Sequence, residues 1–138
     1  MKKLKIGSYN IRCADYGENL QGIADEIKGA SLDIIGLQEC DTGTERSQML
    51  NIPRELAQLT GLTHYAFLHS ILYQNGYYGN AVLSARPILS AGRIFLPSGA
   101  EEQRALLHVV VGGEGAPINF FNTHLSLLPE LRVDELLV

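Results

Sequence analysis

Apolar and polar positions change period several times along the chain, and each change predicts an element. Residues from Leu4 to Ile11 are mostly extended in character and predict a first strand. Leu20, Ile23, Ala24 and Ile27 then recur at helical spacing, and Gly29 follows as a stop. The apolar run Leu32 to Leu37 is of the buried-strand kind. This strand–helix–strand opening predicts an α/β layered fold. Asp41 to Asn51 is polar, lacks an apolar period and predicts a loop. Ile52, Leu56 and Leu59 mark a second helix, with Pro53 in its first turn and Gly61 at its end. Strands are then expected at Tyr65–His69, Asn80–Ser84, Ile88–Phe95, Ala105–Val111 and Ile118–Thr123. Gly112-Gly113-Glu114-Gly115 between the last two is a hairpin signal.

Pro129 to Val138 reads as a helix in progress, apolar at Leu131, Leu136 and Leu137 and polar at Glu130, Arg132, Asp134 and Glu135. No stop signal follows. The pattern fits a truncated chain, with a docked terminal helix as the alternative. No repeat, low-complexity tract or linker divides the chain, so residues 1–138 are expected to form one domain.

Composition narrows the class. Of 138 residues, 46% are hydrophobic and 19% charged, which is globular composition and argues against disorder. No apolar run approaches the ~20 residues a membrane helix needs. The basic opening Met1-Lys2-Lys3 has no apolar stretch behind it and does not read as a secretory signal. Two cysteines, Cys13 and Cys40, suit a reduced interior better than a disulfide framework, and a cytoplasmic location is expected. The net charge of −4, with no basic cluster after Lys5, disfavours tight duplex DNA binding. It leaves room for an enzyme in which a bound divalent cation supplies the positive charge.

Candidate chemistry sits at strand ends. Asn10 ends the first strand, and Glu39 follows the second apolar run. Adjacent strands would bring these hard oxygen donors together, where they suit Mg²⁺ or Mn²⁺. Taken alone, Glu39 reads first as a polar residue where a strand meets water. Gly79-Asn80 opens another strand, and Asn80 either donates to a phosphate oxygen or makes a turn. Arg104 offers a guanidinium fork for phosphate, or a surface ion pair with Glu101 or Glu102. His124, at the end of the last strand, is placed to act as a general acid or base, with a structural role as the alternative. His64, His69 and His108 have no such setting. There is no P-loop, no zinc-ligand spacing around the cysteines, and no nucleophile elbow at Ser84 or Ser126.

The order of these elements carries more than each one alone. Ser8-Tyr9-Asn10-Ile11, Asp33-Ile34-Ile35-Gly36-Leu37-Gln38-Glu39, Gly79-Asn80-Ala81-Val82-Leu83-Ser84, Gln103-Arg104-Ala105 and Asn122-Thr123-His124-Leu125 together resemble the endonuclease/exonuclease/phosphatase superfamily, with its deoxyribonuclease I-like fold. The resemblance runs from about Lys5 to Leu125. It implies a four-layer α/β sandwich with mixed sheets flanked by helices, and metal-assisted phosphoester hydrolysis using Mg²⁺ or Mn²⁺. By position, Glu39 would hold the metal with Asn10 beside it. His124 and Arg104 would contact or polarise the phosphate, and Asn80 would line the same pocket.

Two later family motifs, Gly-Asp-x-Asn and Ser-Asp-His, do not occur here. The expected object is the N-terminal half of the fold, ending after the Thr-His-Leu strand. It is expected to be inactive by itself and to self-associate or pair with a complementing C-terminal half. The competing reading is a non-catalytic binding or assembly module that keeps half of the fold. Substrate choice is expected in the loops Asp41–Asn51 and Ser70–Gly79. Tyr73, Tyr77 and Tyr78 in the second read as packing residues, with stacking on a base or sugar as the alternative.

Overall fold

The computed structural model describes residues 3–138, so Met1 and Lys2 of the basic opening lie outside the described residues. Among the described residues, seven strands form two sheets. The first, ordered β1-β2-β4-β3, contains β1 (Ile6–Asn10), β2 (Ile34–Thr42), β3 (His64–Tyr73) and β4 (Gly76–Ser84). β1 runs parallel to β2, and the other pairs are antiparallel, so the sheet is mixed. The second is the antiparallel meander β5 (Ile88–Phe95), β6 (Ala105–Val111) and β7 (Ile118–Thr123). Among the described residues, no helix is long and apolar enough to cross a membrane.

The helices follow their predicted stripes. In α2 (Leu20–Ala30), Ile23, Ala24 and Ile27 are buried. α3 (Ile52–Thr60) begins where the Asn51 side chain accepts from the Arg54 amide and ends at Gly61, whose φ of 77° suits glycine. These helices cover one face of the first sheet and pack Ile23, Ile27, Ile52 and Leu56 against Ile35, Leu37 and Leu83. The second core lies between the sheets, where Ile34 and Val82 meet Leu107, Val109 and Val111. Alternation along β6 buries those three side chains and leaves Leu106, His108 and Val110 half-buried on the opposite face. The result is helices, sheet and second sheet, with Ile94 and Phe121 exposed on the second sheet.

Three of the side-chain hydrogen bonds between the sheets meet at one residue. Asn122, on β7, is buried and donates from Nδ2 to the carbonyls of Leu37 and Ala81, 2.8 Å each. Its Oδ1 accepts from Gln38 Nε2 at 2.6 Å. Leu37 and Ala81 are themselves cross-strand partners in β2 and β4. Gly36 makes the approach possible, because a Cβ there would lie 2.8 Å from Asn122 Cγ. A second stitch runs from Asn80 Nδ2 to the Ala105 carbonyl, 3.0 Å.

Three local features depart from the sequence pattern. β2 continues past Leu37 to Thr42, and its pairing with β4 shifts register between Leu37 and Cys40. Gln38 and Glu39 there oppose Asn80 alone, which is a β-bulge. The expected loop Ser70–Gly79 is instead mostly strand, closed by a two-residue turn with Gln74 and Asn75 at φ 45° and 60°. Arg12–Tyr16 (α1) is a left-handed turn, with φ between 48° and 55° at five successive non-glycine residues. Such backbone costs roughly 1–2 kcal/mol per residue.

Asn122→Leu should keep the bulk and lose all three bonds, taking a donor from two buried carbonyls and leaving Gln38 Nε2 with Ser8. Each carbonyl so stranded costs ~1–3 kcal/mol, so urea denaturation should show a loss of at least ~2 kcal/mol. A loss below ~1 kcal/mol would show that the amide does not hold the sheets together.

Candidate functional site

The site grows from the ends of β1 and β2. Parallel pairing sets Asn10 opposite Gln38, and the bulge then turns the next residue, Glu39, out of the ladder. Glu39 has φ +56°, a left-handed conformation that costs a non-glycine residue of order 1–3 kcal/mol. Its carboxylate meets Asn10, whose Nδ2 donates to Glu39 Oε1 at 3.0 Å. Asn10 Oδ1 accepts from the Arg12 amide at 3.1 Å, which anchors the left-handed turn beside the site.

β6 and β7 supply a second pair. Arg104 immediately precedes β6, and His124 immediately follows β7. Arg104 Nη1 lies 3.1 Å from His124 Nδ1. A guanidinium only donates, so Nδ1 accepts and the ring proton belongs on Nε2. Burial first, and then the Arg104 charge, push the His124 pKa down, against an opposing pull from Glu39 and Glu102. Glu102 stands 3.6 Å from Arg104, and Arg104 Nε is buried with no hydrogen-bond partner.

The two pairs share a small cleft. Glu39, Asn80, Glu102, Arg104 and His124 all line it, and its free volume is about 10 Å³, close to one water-sized group. Asn10 lies one step away, on a larger cleft of about 590 Å³ that Glu39, Tyr78 and Glu102 also line. Asn80 is buried and already donates to Ala105, which commits part of its amide to holding the sheets together.

Sequence reasoning missed the neighbour on the larger cleft. Asp41 is fully buried at the end of β2, where its carboxylate accepts from Thr44, Ser47 and both Nε and Nη2 of Arg46 at 2.5–2.9 Å. Burial alone would raise its pKa, but the bonds from Arg46, Ser47 and Thr44 outweigh it and hold the carboxyl below its ordinary value. Arg46 packs over the rings of Tyr73, Tyr78 and Tyr16, 4.3, 5.3 and 5.5 Å from their centroids. The signal available in sequence was the cluster of donors at Thr44, Arg46 and Ser47, three to six residues beyond Asp41.

The cysteines take no part in ionic chemistry at neutral pH. Burial and the nearby Asp41 push the Cys13 thiol up to about 12, despite Arg46, and burial pushes Cys40 well above its ordinary value. Among the described residues, no group of three or more His, Cys, Asp or Glu side chains could hold a metal ion. At the strand ends Glu39 offers a carboxylate, while Asn10 turns its amide nitrogen to Glu39 and its oxygen to the Arg12 amide.

Comparison with known proteins places this geometry in a family. The model of the Endonuclease/Exonuclease/phosphatase family matches residues 7–121. No curated protein matches. Among solved structures, an endonuclease/exonuclease/phosphatase from Beutenbergia cavernae is similar at 22% identity and TM-score 0.71, over 96% of this chain and 42% of its own. TDP2 from Caenorhabditis elegans is similar at 21% identity and TM-score 0.66, over 95% of this chain and 38% of its own. Sphingomyelinase C from Streptomyces griseocarneus follows at 18% identity and TM-score 0.67, over 97% and 55%. These likenesses show a shared fold, and this chain spans roughly half or less of each structure's length. The extent of the family match, covering most of the chain, shows that it belongs to the Endonuclease/Exonuclease/phosphatase family.

Proposed function

We propose that the chain carries one wall of a metal-dependent phosphoester hydrolase site. In this reading Glu39 and Asn10 hold Mg²⁺ or Mn²⁺, Arg104 and Asn80 bind the scissile phosphate, and His124 is the catalytic group that touches it. The observation that carries it is the buried, partnerless Nε of Arg104 in the cleft that Glu39 and His124 also line. A buried donor without an acceptor calls for one, and a phosphate oxygen is of the right size and charge.

The donor set fits the metal. Mg²⁺ takes hard oxygen ligands, keeps several waters and commonly binds through one or two carboxylates plus substrate phosphate. Family members generally use divalent metals. When bound, the ion would neutralise charge developing on the phosphate. The strained backbone at Glu39 aims its carboxylate off the sheet, and Asn10 fixes the carboxylate's rotation. Arg104 supplies fixed positive charge. His124, with its proton on Nε2, donates to a phosphate oxygen or leaving group instead of accepting a proton from water. Its Nδ1 faces a cation and not a carboxylate, so nothing there strengthens it as a base. Turnover by this chain is accordingly weak, since loss of a general base alone costs ~10²–10⁴-fold. The two buried, free cysteines support a reducing, cytoplasmic setting.

A second reading, an assembly module, draws support from the exposed apolar side chains. Ile94, Phe95 and Phe121 on the second sheet and Leu127, Leu136 and Leu137 near the end of the chain are about half or more exposed. Apolar surface on that scale marks interaction sites. Self-association or pairing with a complementing half would cover it.

Four outcomes are expected. Mn²⁺ should broaden the NMR signals of Asn10, Arg104 and His124, and Glu39→Gly should abolish the effect while leaving stability equal or higher by about 1 kcal/mol through relief of the positive φ. Broadening that survives the substitution would remove Glu39 from the metal site. Hydrolysis of bis(4-nitrophenyl) phosphate with Mg²⁺ should stay at background, and turnover that Glu39→Ala eliminates would contradict the weak-activity reading. His124 should titrate below 6.5 and move upward in Arg104→Ala. Because its folded pKa is lowered, the unfolded chain binds the proton first. Its stabilising effect is complete above pH ~6.5 and lost as pH falls towards the folded value. An upward-shifted His124 in the parent chain would refute the assigned proton position. Sedimentation should show dimers or larger species, and a sharp monomer with cooperative unfolding would count against the assembly reading.

A further inference from the structure

The bulge alone does not account for the backbone at Glu39. An extra residue in a strand ordinarily sits near the right-handed helical region, and where it is left-handed it is ordinarily glycine. Glu39 is neither, with φ +56°. A side chain stays in such a conformation only where its surroundings over-determine it.

On the N-terminal side the restraint is plain. Leu37 pairs with Ala81 and its carbonyl accepts from Asn122, while Gln38 donates to Ser8 and Asn122. On the C-terminal side the ladder is weaker. β4 meets a register shift on both of its edges, against β2 between Leu37 and Cys40 and against β3 between His69 and Ile71. Interrupted pairing on both edges restrains Cys40 less than a regular sheet would. The remaining anchor is Asp41, two residues beyond Glu39. Its fully buried carboxylate accepts from Thr44, Ser47 and two nitrogens of Arg46, all in the loop that follows. Relaxing φ at Glu39 would swing Asp41 away from those donors and strand a buried charge, which costs more than the strain relieves.

The same ion pair reaches the second strained segment. Arg46 Nη2 lies 3.5 Å from Cys13 Sγ, and its guanidinium packs 5.5 Å from the Tyr16 ring, both in the left-handed turn Arg12–Tyr16. Asn10 holds the start of that turn through the Arg12 amide and holds Glu39 through Oε1. The loop also grips the β3–β4 turn, where the Glu45 and Arg46 amides donate to the Gln74 carbonyl and side chain. Asp41 itself lines neither cleft, so its action on the site is indirect.

We propose that Asp41 is a positioning residue: through Arg46 and the loop donors it latches the end of β2, holds Glu39 at positive φ and so aims its carboxylate into the site. The bearing of this latch on catalysis rests on the reading of Glu39 as a metal ligand. The latch itself is open to test without metal.

NMR on the isotope-labelled whole chain provides the test in two steps. Without metal, the backbone scalar couplings of residue 39 report the sign of φ. The parent should show positive φ. Asp41→Asn, which keeps the shape but turns an amide towards the Arg46 fork, should shift it to negative values. With Mn²⁺, the concentration that half-broadens the Asn10 and His124 signals should rise about tenfold or more in that variant, the usual loss when a group orienting a metal ligand is removed. Arg46→Lys keeps the charge and loses the fork. It should move both readings the same way, and it decides the matter should Asp41→Asn fold poorly. Val109→Ala, which weakens the core between the sheets instead, should move neither. Positive φ retained in the folded variant, negative φ in the parent, an equal change in Val109→Ala, or unchanged Mn²⁺ affinity once φ is lost would overturn the proposal. Loss of positive φ in the variant, with no Mn²⁺ broadening in the parent, supports the latch and sinks the metal reading of Glu39. Broadening in the parent with φ still positive in the variant does the reverse.

Discussion

Asn122 commits its whole side-chain amide to the opposite sheet, giving two hydrogens to Leu37 and Ala81 and taking one from Gln38. The apolar contacts between the sheets, Ile34 and Val82 on Leu107, Val109 and Val111, supply cohesion without direction. Directed bonds, this amide's three above all and the Asn80–Ala105 bond beside them, fix which strand position faces which, because a slipped register would strand buried donors and acceptors. Every candidate site residue depends on that alignment. Asn10 and Glu39 come from the first sheet and Arg104 and His124 from strand ends of the second, so their meeting is a property of the interface between sheets.

At that meeting point the electrostatics are divided between two compartments. The small cleft has an arginine whose Nε is unpaired, beside a histidine that burial and that same arginine keep neutral. The large cleft has an arginine fully matched by a buried aspartate. The first pairing leaves positive charge to be answered from outside, and the second leaves shape and directed donors. One strand, β2, feeds both, through Glu39 and Asp41 two residues apart.

Much of this was legible in the sequence where hydrophobic period and breaker residues agree. Strands β5, β6 and β7 fall where alternation and the glycine-rich turn put them, and α2 and α3 follow their apolar stripes. Asn10, Glu39, Asn80, Arg104 and His124 were singled out by position at strand ends and by their order along the chain. The misses have local causes. Gln38-Glu39-Cys40-Asp41 looks like the start of a loop because a bulge interrupts the alternation by which a strand is recognised. The β3–β4 turn carries its left-handed residues on Gln74 and Asn75, one position before the Asn75-Gly76 pair that is the usual hairpin signal. Asp41 and Arg46 fall within the stretch Asp41–Asn51 read as a polar loop, since nothing in one dimension shows that a charge will be buried with its partner.

The bulge in β2 also has an arithmetic side. Between the pairs Leu37–Ala81 and Cys40–Gly79 the strand carries one residue more than its partner, and the surplus residue is Glu39. Deleting it would give an uninterrupted ladder, with Gln38 opposite Asn80 and a more regular sheet. The candidate ligand is thus an insertion relative to an ideal strand. Within a lineage, one lost codon would erase the chemistry and improve the scaffold at a stroke, so persistence of that extra residue over time would be a record of selection for function against the preference of the fold.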